Sequence, residues 1–143
     1  MKKIVIVSFV IFLLVGVFCF PINIGKKLEK LQQSPHVSIV YSYFAVDDEK
    51  DPIKYEDCSI DVSSKEYEDI VELLKEYNAY RGYDTFFPEG NGIEGPGRTI
   101  GVNLITITDT NKLFVDGRIY YLSYFDKNSG EEIVNQLLEI LKK

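Results

Sequence analysis

Apolar residues are spread along this chain in three patterns: one unbroken run near the start, stretches that alternate with polar residues, and two stretches at helical spacing. The run comes first. Ile4 to Phe20 is apolar except for Ser8 and Gly16, and it follows Lys2 and Lys3 directly. A helix rises about 1.5 Å per residue against a hydrocarbon core of about 30 Å, so the segment Ile4 to Ile24 is expected to span a bilayer. The first alternating stretch, Val37 to Val46, sets Val37, Ile39, Tyr41 and Tyr43 against Ser38 and Ser42 and predicts a strand. Tyr55 to Val62 predicts a second strand, with Cys58, Ile60 and Val62 on one side. Thr99 to Thr108 predicts a third, in which Ile105 and Ile107 hint at a register change or burial on both faces. Lys112 to Val115 and Arg118 to Phe125 flank Asp116-Gly117, a pair suited to a two-residue hairpin turn.

Helical spacing appears twice. Ser63 with Glu66 has the form of a capping box, and Val62 with Tyr67 that of a hydrophobic staple. Tyr67, Ile70, Val71, Leu74 and Tyr77 then form an apolar stripe, which predicts a helix running to about Tyr80 with Gly82 as its stop. Ser129 and Glu132 predict a second capping box, opening a helix from about Gly130 to Leu141 with Ile133, Val134, Leu137, Leu138 and Leu141 inward. Both halves of the chain thus read strand, turn, capped helix, an echo too generic to establish duplication. The expected fold is α+β, an antiparallel sheet of about five strands with two amphipathic helices on one face, preceded by the N-terminal apolar helix.

Three regions follow from this pattern: residues 1–24 as signal anchor or signal peptide, 25–35 as a basic polar neck, and 36–143 as one small domain. Cleavage requires small residues at a site of the Ala-x-Ala kind, and the nearest options, Asn23 with Gly25 or Val17 with Cys19, fit poorly. Lipid attachment at Cys19 is disfavoured by the bulky Phe18 before it. Retention as an anchor is the expectation. Lysines flank the run on both sides, so the charge rule does not orient it. Its position behind Lys2 and Lys3 is that of an export signal, which places the rest of the chain outside the membrane.

Charge sharpens the picture of the domain. The chain carries a net charge of −6, and Lys2, Lys3, Lys26, Lys27 and Lys30 less Glu29 contribute +4 of it, which leaves −10 from Leu31 onward. Such a domain is repelled by nucleic acid and by anionic lipid, so no nucleic-acid partner is expected. Outside the apolar run Cys58 is the single cysteine, so no internal disulfide staples the domain.

Candidate chemistry is sparse. Gly90-Asn91-Gly92-Ile93-Glu94-Gly95 matches a dinucleotide-binding glycine pattern in letters, but Pro96, Gly97 and a strand follow where a helix N-terminus must receive the pyrophosphate. Cys58 and His36, the only histidine, would need to approach within about 3 Å to act as nucleophile and base. A hairpin register that sets Cys58 opposite Tyr43 keeps them apart, and Cys58 then reads as a small core residue. Asp47, Asp48, Glu49 and Asp51 form a carboxylate cluster without the spacing of an EF-hand, and Asp126 to Glu132 reads as a turn and cap. No catalytic residue, metal ligand or cofactor is assigned. The remaining candidates are the aromatics Tyr80, Tyr83, Phe86 and Phe87 with Arg98, which border the Gly- and Pro-rich stretch Gly82 to Arg98 and are suited to anchoring an interface. The expected function is a membrane-anchored, extracytoplasmic, non-catalytic binding or accessory domain that contacts a protein or envelope partner. A secreted or anchored hydrolase or metal-dependent enzyme is the alternative, and an immunity or inhibitor protein a further one.

Overall fold

The computed structural model describes residues 2–44, 54–87 and 97–142. Helix α1 (Lys2–Cys19) is followed by strand β1 (Ile22–Asn23), helix α2 (Ile24–Leu31), strands β2 (His36–Phe44) and β3 (Lys54–Asp61), and helix α3 (Lys65–Lys75). Strand β4 (Asn78–Arg81), the one-turn helix α4 (Tyr83–Phe86), strands β5 (Gly97–Val102), β6 (Ile105–Thr108), β7 (Lys112–Val115) and β8 (Arg118–Tyr121), and helix α5 (Glu131–Lys142) complete the fold. The architecture is α+β with an antiparallel sheet, as expected, but the sheet has 8 strands in the order β1-β4-β8-β7-β6-β5-β2-β3.

The additional strands come from one turn and from pairings distant in sequence. The stretch Thr99 to Thr108 is two strands, because Asn103 takes a left-handed φ of 54° and folds β5 back on β6. This explains Ile105 and Ile107, which face the same core as Ile100 and Val102, their cross-strand partners. The other two strands, β1 and β4, come from segments expected to be helix. Helix α3 ends at Lys75, well before Tyr80, and Asn78 to Arg81 pair with β1 on one side and β8 on the other. Sheet pairing buries Ala79 completely, which a continued exposed helix could not do. Asp116 and Gly117 take φ values of 51° and 73°, the doubly left-handed geometry of a tight hairpin.

The expected membrane span Ile4 to Ile24 is broken. α1 stops at Cys19, Pro21 cannot donate to a helix, and Ile22 and Asn23 join the sheet. α1 has 18 residues, about 27 Å of helix. Among the described residues no helix is long and apolar enough to cross a membrane. Part of the segment expected as a polar neck is helix α2. Asn23 caps α2, its Oδ1 accepting from Lys26 N at 3.1 Å and its Nδ2 donating to Lys75 O at 2.7 Å. Ile24 and Leu28, four residues apart on one helix face, are fully buried against α3. Gly25 permits the contact: a Cβ there would lie 2.6 Å from both Lys75 N and Val71 O.

The cap of α3 lies one residue later than expected. Ser64 Oγ accepts from Tyr67 N at 3.2 Å, whereas Ser63 is held in the preceding turn by Asp61 Oδ1, 2.7 Å from its amide. The box expected at Ser129 does not form; its Oγ is buried with no hydrogen-bond partner, and Glu131 N bonds Asn128 O instead. One hydrophobic cluster joins Ile24 and Leu28 of α2, Ile70 and Leu74 of α3, and Ile133 and Leu137 of α5 to the inward residues of β2 and β5 to β8. Three core-facing helices therefore cover the sheet where two were expected.

Candidate functional site

Four of the five candidate residues come together at the β4 edge. Tyr80 lies on β4, opposite Tyr121 of β8. Gly82 then lets the chain turn tightly over the Tyr121 ring, whose Cε2 would be 2.4 Å from a Cβ at that position. Thr85, buried in α4, locks the turn: its Oγ1 accepts from Gly82 N at 2.9 Å and donates to Ile119 O. With Thr85 inward, Tyr83, Phe86 and Phe87 are left on the surface.

Residues after β8 enlarge the cluster. Arg118 to Phe125 was expected as one strand, but the strand ends at Tyr121 and the turn beyond it brings Tyr124 back over β4. Tyr124 stacks near Tyr80 and Tyr121, with ring centroids 5.8 and 5.9 Å away, and its hydroxyl donates to Arg81 O. Tyr83 and Phe87 stack at 5.0 Å. Tyr121 OH donates to Asp84 Oδ2 at 2.6 Å, and burial first, then this carboxylate, pushes the Tyr121 phenol up to about 12. Two hydroxyls of the cluster are thus engaged within the protein. Tyr121 and Tyr124 were not found from the sequence, because only the pairing of β8 with β4 carries them to this edge.

The same edge meets α1. Arg81 Nη1 donates to Phe20 O at 3.0 Å, placing a cation at the last carbonyls of that helix. Arg81 also borders a groove of about 480 Å³ whose other walls are Phe12, Leu13, Gly16, Val17 and Phe20, so the sheet edge stands beside the final turns of α1.

Arg98 does not belong to this cluster. It lies on β5, four strand positions from β4, about 19 Å at ~4.8 Å per strand. Asp109 Oδ2 accepts from Arg98 N at 2.8 Å and from its Nε at 3.1 Å, while Nη1 donates to Asn135 Oδ1 at 2.7 Å. The Asp109 hydrogen bond raises the guanidinium pKa further, and the Asn135 bond ties β5 to α5.

A second concavity, about 330 Å³, lies between the β2–β3 edge and α5, with Ile39, Tyr41 and Leu138 below and Glu56, Asp57 and Cys58 at the rim. Cys58 pairs with Ile39 where Tyr43 was expected, and it is exposed where a core position was expected. Partial burial and the charges of Asp57 and Glu56 push its thiol up, which leaves it protonated at neutral pH. His36, three residues along β2 from Ile39, is roughly 10 Å away at ~3.3 Å per residue and faces Asp61 at 3.8 Å. Nucleophile and base are therefore separate. Among the described residues no group of His, Cys, Asp and Glu is placed to hold a metal ion. The glycine pattern at 90–95 and the carboxylates at 47–51 lie outside the described residues. Comparison with protein-family models, curated proteins and solved structures returned no match.

Proposed function

We propose that this chain is a membrane-anchored, extracytoplasmic, non-catalytic binding or accessory domain whose aromatic edge, Tyr80, Tyr83, Phe86 and Phe87 with Tyr124, contacts a protein or envelope partner. One observation carries the reading. Apart from Ser8 and Gly16, the described side chains of α1 are apolar and exposed, from Ile6 through Phe9 and Phe12 to Val17. A helix that is hydrophobic on every side requires an apolar medium, and one lying flat on a surface would instead keep a polar face. The chain passes from α1 to β1 through Phe20 and Pro21, and Arg81 of β4 bonds Phe20 O, so the aromatic edge is presented beside the end of α1.

Orientation and anchoring are tested together in cells expressing the full chain with Cys19→Ser, which leaves Cys58 as the one thiol. The chain is expected to resist carbonate extraction, and a membrane-impermeant maleimide is expected to label Cys58 in intact cells. Release by carbonate, or labelling only after lysis, would overturn the proposal.

A further inference from the structure

The lipid surface itself is the partner that fits the aromatic edge. The apolar part of α1, Ile4 to Cys19, amounts to about 24 Å of helix, some 6 Å short of a typical hydrocarbon core. Such a deficit is met by thinning the bilayer or by apolar groups at the helix end that reach into the interface. The molecule has such groups. Phe20 is 72% exposed, Tyr83 61%, Phe87 59% and Tyr124 50%, and Phe125, next to Tyr124 in the chain, is 96% exposed.

Arg81, the neighbour of Tyr80 on β4, ties this surface to α1. Arg81 binds the carbonyl of Phe20 and walls the groove along Phe12 to Phe20, so β4 stands level with the last turns of the helix. A helix immersed to its end brings that flank to the same depth. Chemistry agrees with position, because Tyr121 and Tyr124 turn their hydroxyls inward, to Asp84 and to Arg81 O. Amphipathic aromatic rings concentrate at the headgroup level of membrane proteins. The domain from Leu31 onward carries −10, whereas the charged residues that neighbour these aromatics along the chain, Arg81 and Lys127 against Asp84, Glu89 and Asp126, sum to only −1.

We infer that Phe20, Tyr83, Phe87, Tyr124 and Phe125 form an interfacial seat that sinks into the zwitterionic headgroup layer of the bilayer holding α1, completing its short span and fixing the domain against the membrane. The inference rests on the anchored reading above and specifies the partner of the aromatic edge.

The sequence contains no tryptophan, so a single introduced one reports alone. Phe87→Trp, Phe125→Trp and the control Ser59→Trp are prepared in the full chain and reconstituted into phosphatidylcholine vesicles, with or without lipid brominated near the headgroup end of the acyl chains. Ser59 is exposed on β3, six strand positions from β4 and roughly 29 Å away at ~4.8 Å each. The two edge reporters are expected to emit to the blue of Ser59→Trp and to be quenched severalfold more by brominated lipid, equally with and without added phosphatidylglycerol. If the chain stays in the vesicles through carbonate but neither edge reporter is quenched, the inference falls and the anchored reading stands. If the chain leaves the vesicles, the anchored reading falls and takes the inference with it. A blue shift that grows with protein concentration and ignores bromine would assign the edge to a second copy of the chain, and a shift produced only by an added protein would assign it to that protein. Either result overturns the lipid seat.

Discussion

Replacing Gly25 with alanine sets two effects of opposite sign against each other. Gly25 is the second residue of α2, and alanine inside a helix is favoured over glycine by about 0.5–1 kcal/mol because less backbone freedom is lost. Were the segment a solvated neck, that gain would stand alone. In the structure the new Cβ would lie 2.6 Å from Lys75 N and 2.6 Å from Val71 O. Ordinary contact begins near 3.5 Å, so the overlap is about 1 Å, and both obstacles are backbone atoms of α3 that cannot rotate away. The two helices must separate, which loosens Ile24 and Leu28, both fully buried. Overpacking of this kind costs about 1–3 kcal/mol, and the helical gain offsets only part of it. The expected net loss is about 0.5–2 kcal/mol, read as a fall of roughly 1 M in the urea midpoint of the full chain in detergent, for a slope of about 1–3 kcal/mol/M. Lys27→Ala, two residues on, should stay within about 0.5 kcal/mol. An unchanged or raised midpoint for Gly25→Ala would refute the packing of α2 on α3.

Three further predictions use the same reasoning elsewhere. Ser64→Ala should cost about 1 kcal/mol by removing the α3 cap, whereas Ser129→Ala should be neutral or stabilising by up to about 1 kcal/mol, since its buried hydroxyl has no partner; melts of the two variants check both, and a comparable loss at Ser129 would contradict the structure. The Tyr121 phenol, raised to about 12, contributes stability that is fully present below the unfolded value near 10 and is lost as pH climbs toward 12. Unfolding midpoints should therefore fall across that window, less steeply in Tyr121→Phe, and identical slopes would dismiss the raised phenol. With Cys19→Ser as background, Cys58 should alkylate with iodoacetamide at pH 8 more slowly than a free small thiol despite its exposure, because its thiol is held protonated, and faster reaction would exclude that account.

Features set by nearest neighbours were legible in the sequence. Alternation marked β2 and β3, apolar spacing marked α3 and α5, and Asp116-Gly117 marked its hairpin, each depending on a few adjacent residues. What failed depended on distant partners. Asn78 to Arg81 continue a helical pattern, and only the open edges of β8 and β1 convert them to strand. Lys26, Lys27 and Lys30 hid the i, i+4 pair Ile24 and Leu28, although Asn23 ahead of them was a readable cap. The aromatic site divided in the same way. Tyr80 to Phe87 were visible as a local group, Arg98 was added by proximity in sequence and is bonded to α5, and Tyr121 and Tyr124 required knowledge of which strand lies beside β4.

The junction at Phe20 and Pro21 sets a limit on reach. Two extended residues cover about 7 Å, so the sheet cannot swing far from the end of α1, as a domain on a long glycine- or serine-rich leash could. Any tilt of α1 is handed directly to the eight strands like the turn of a key.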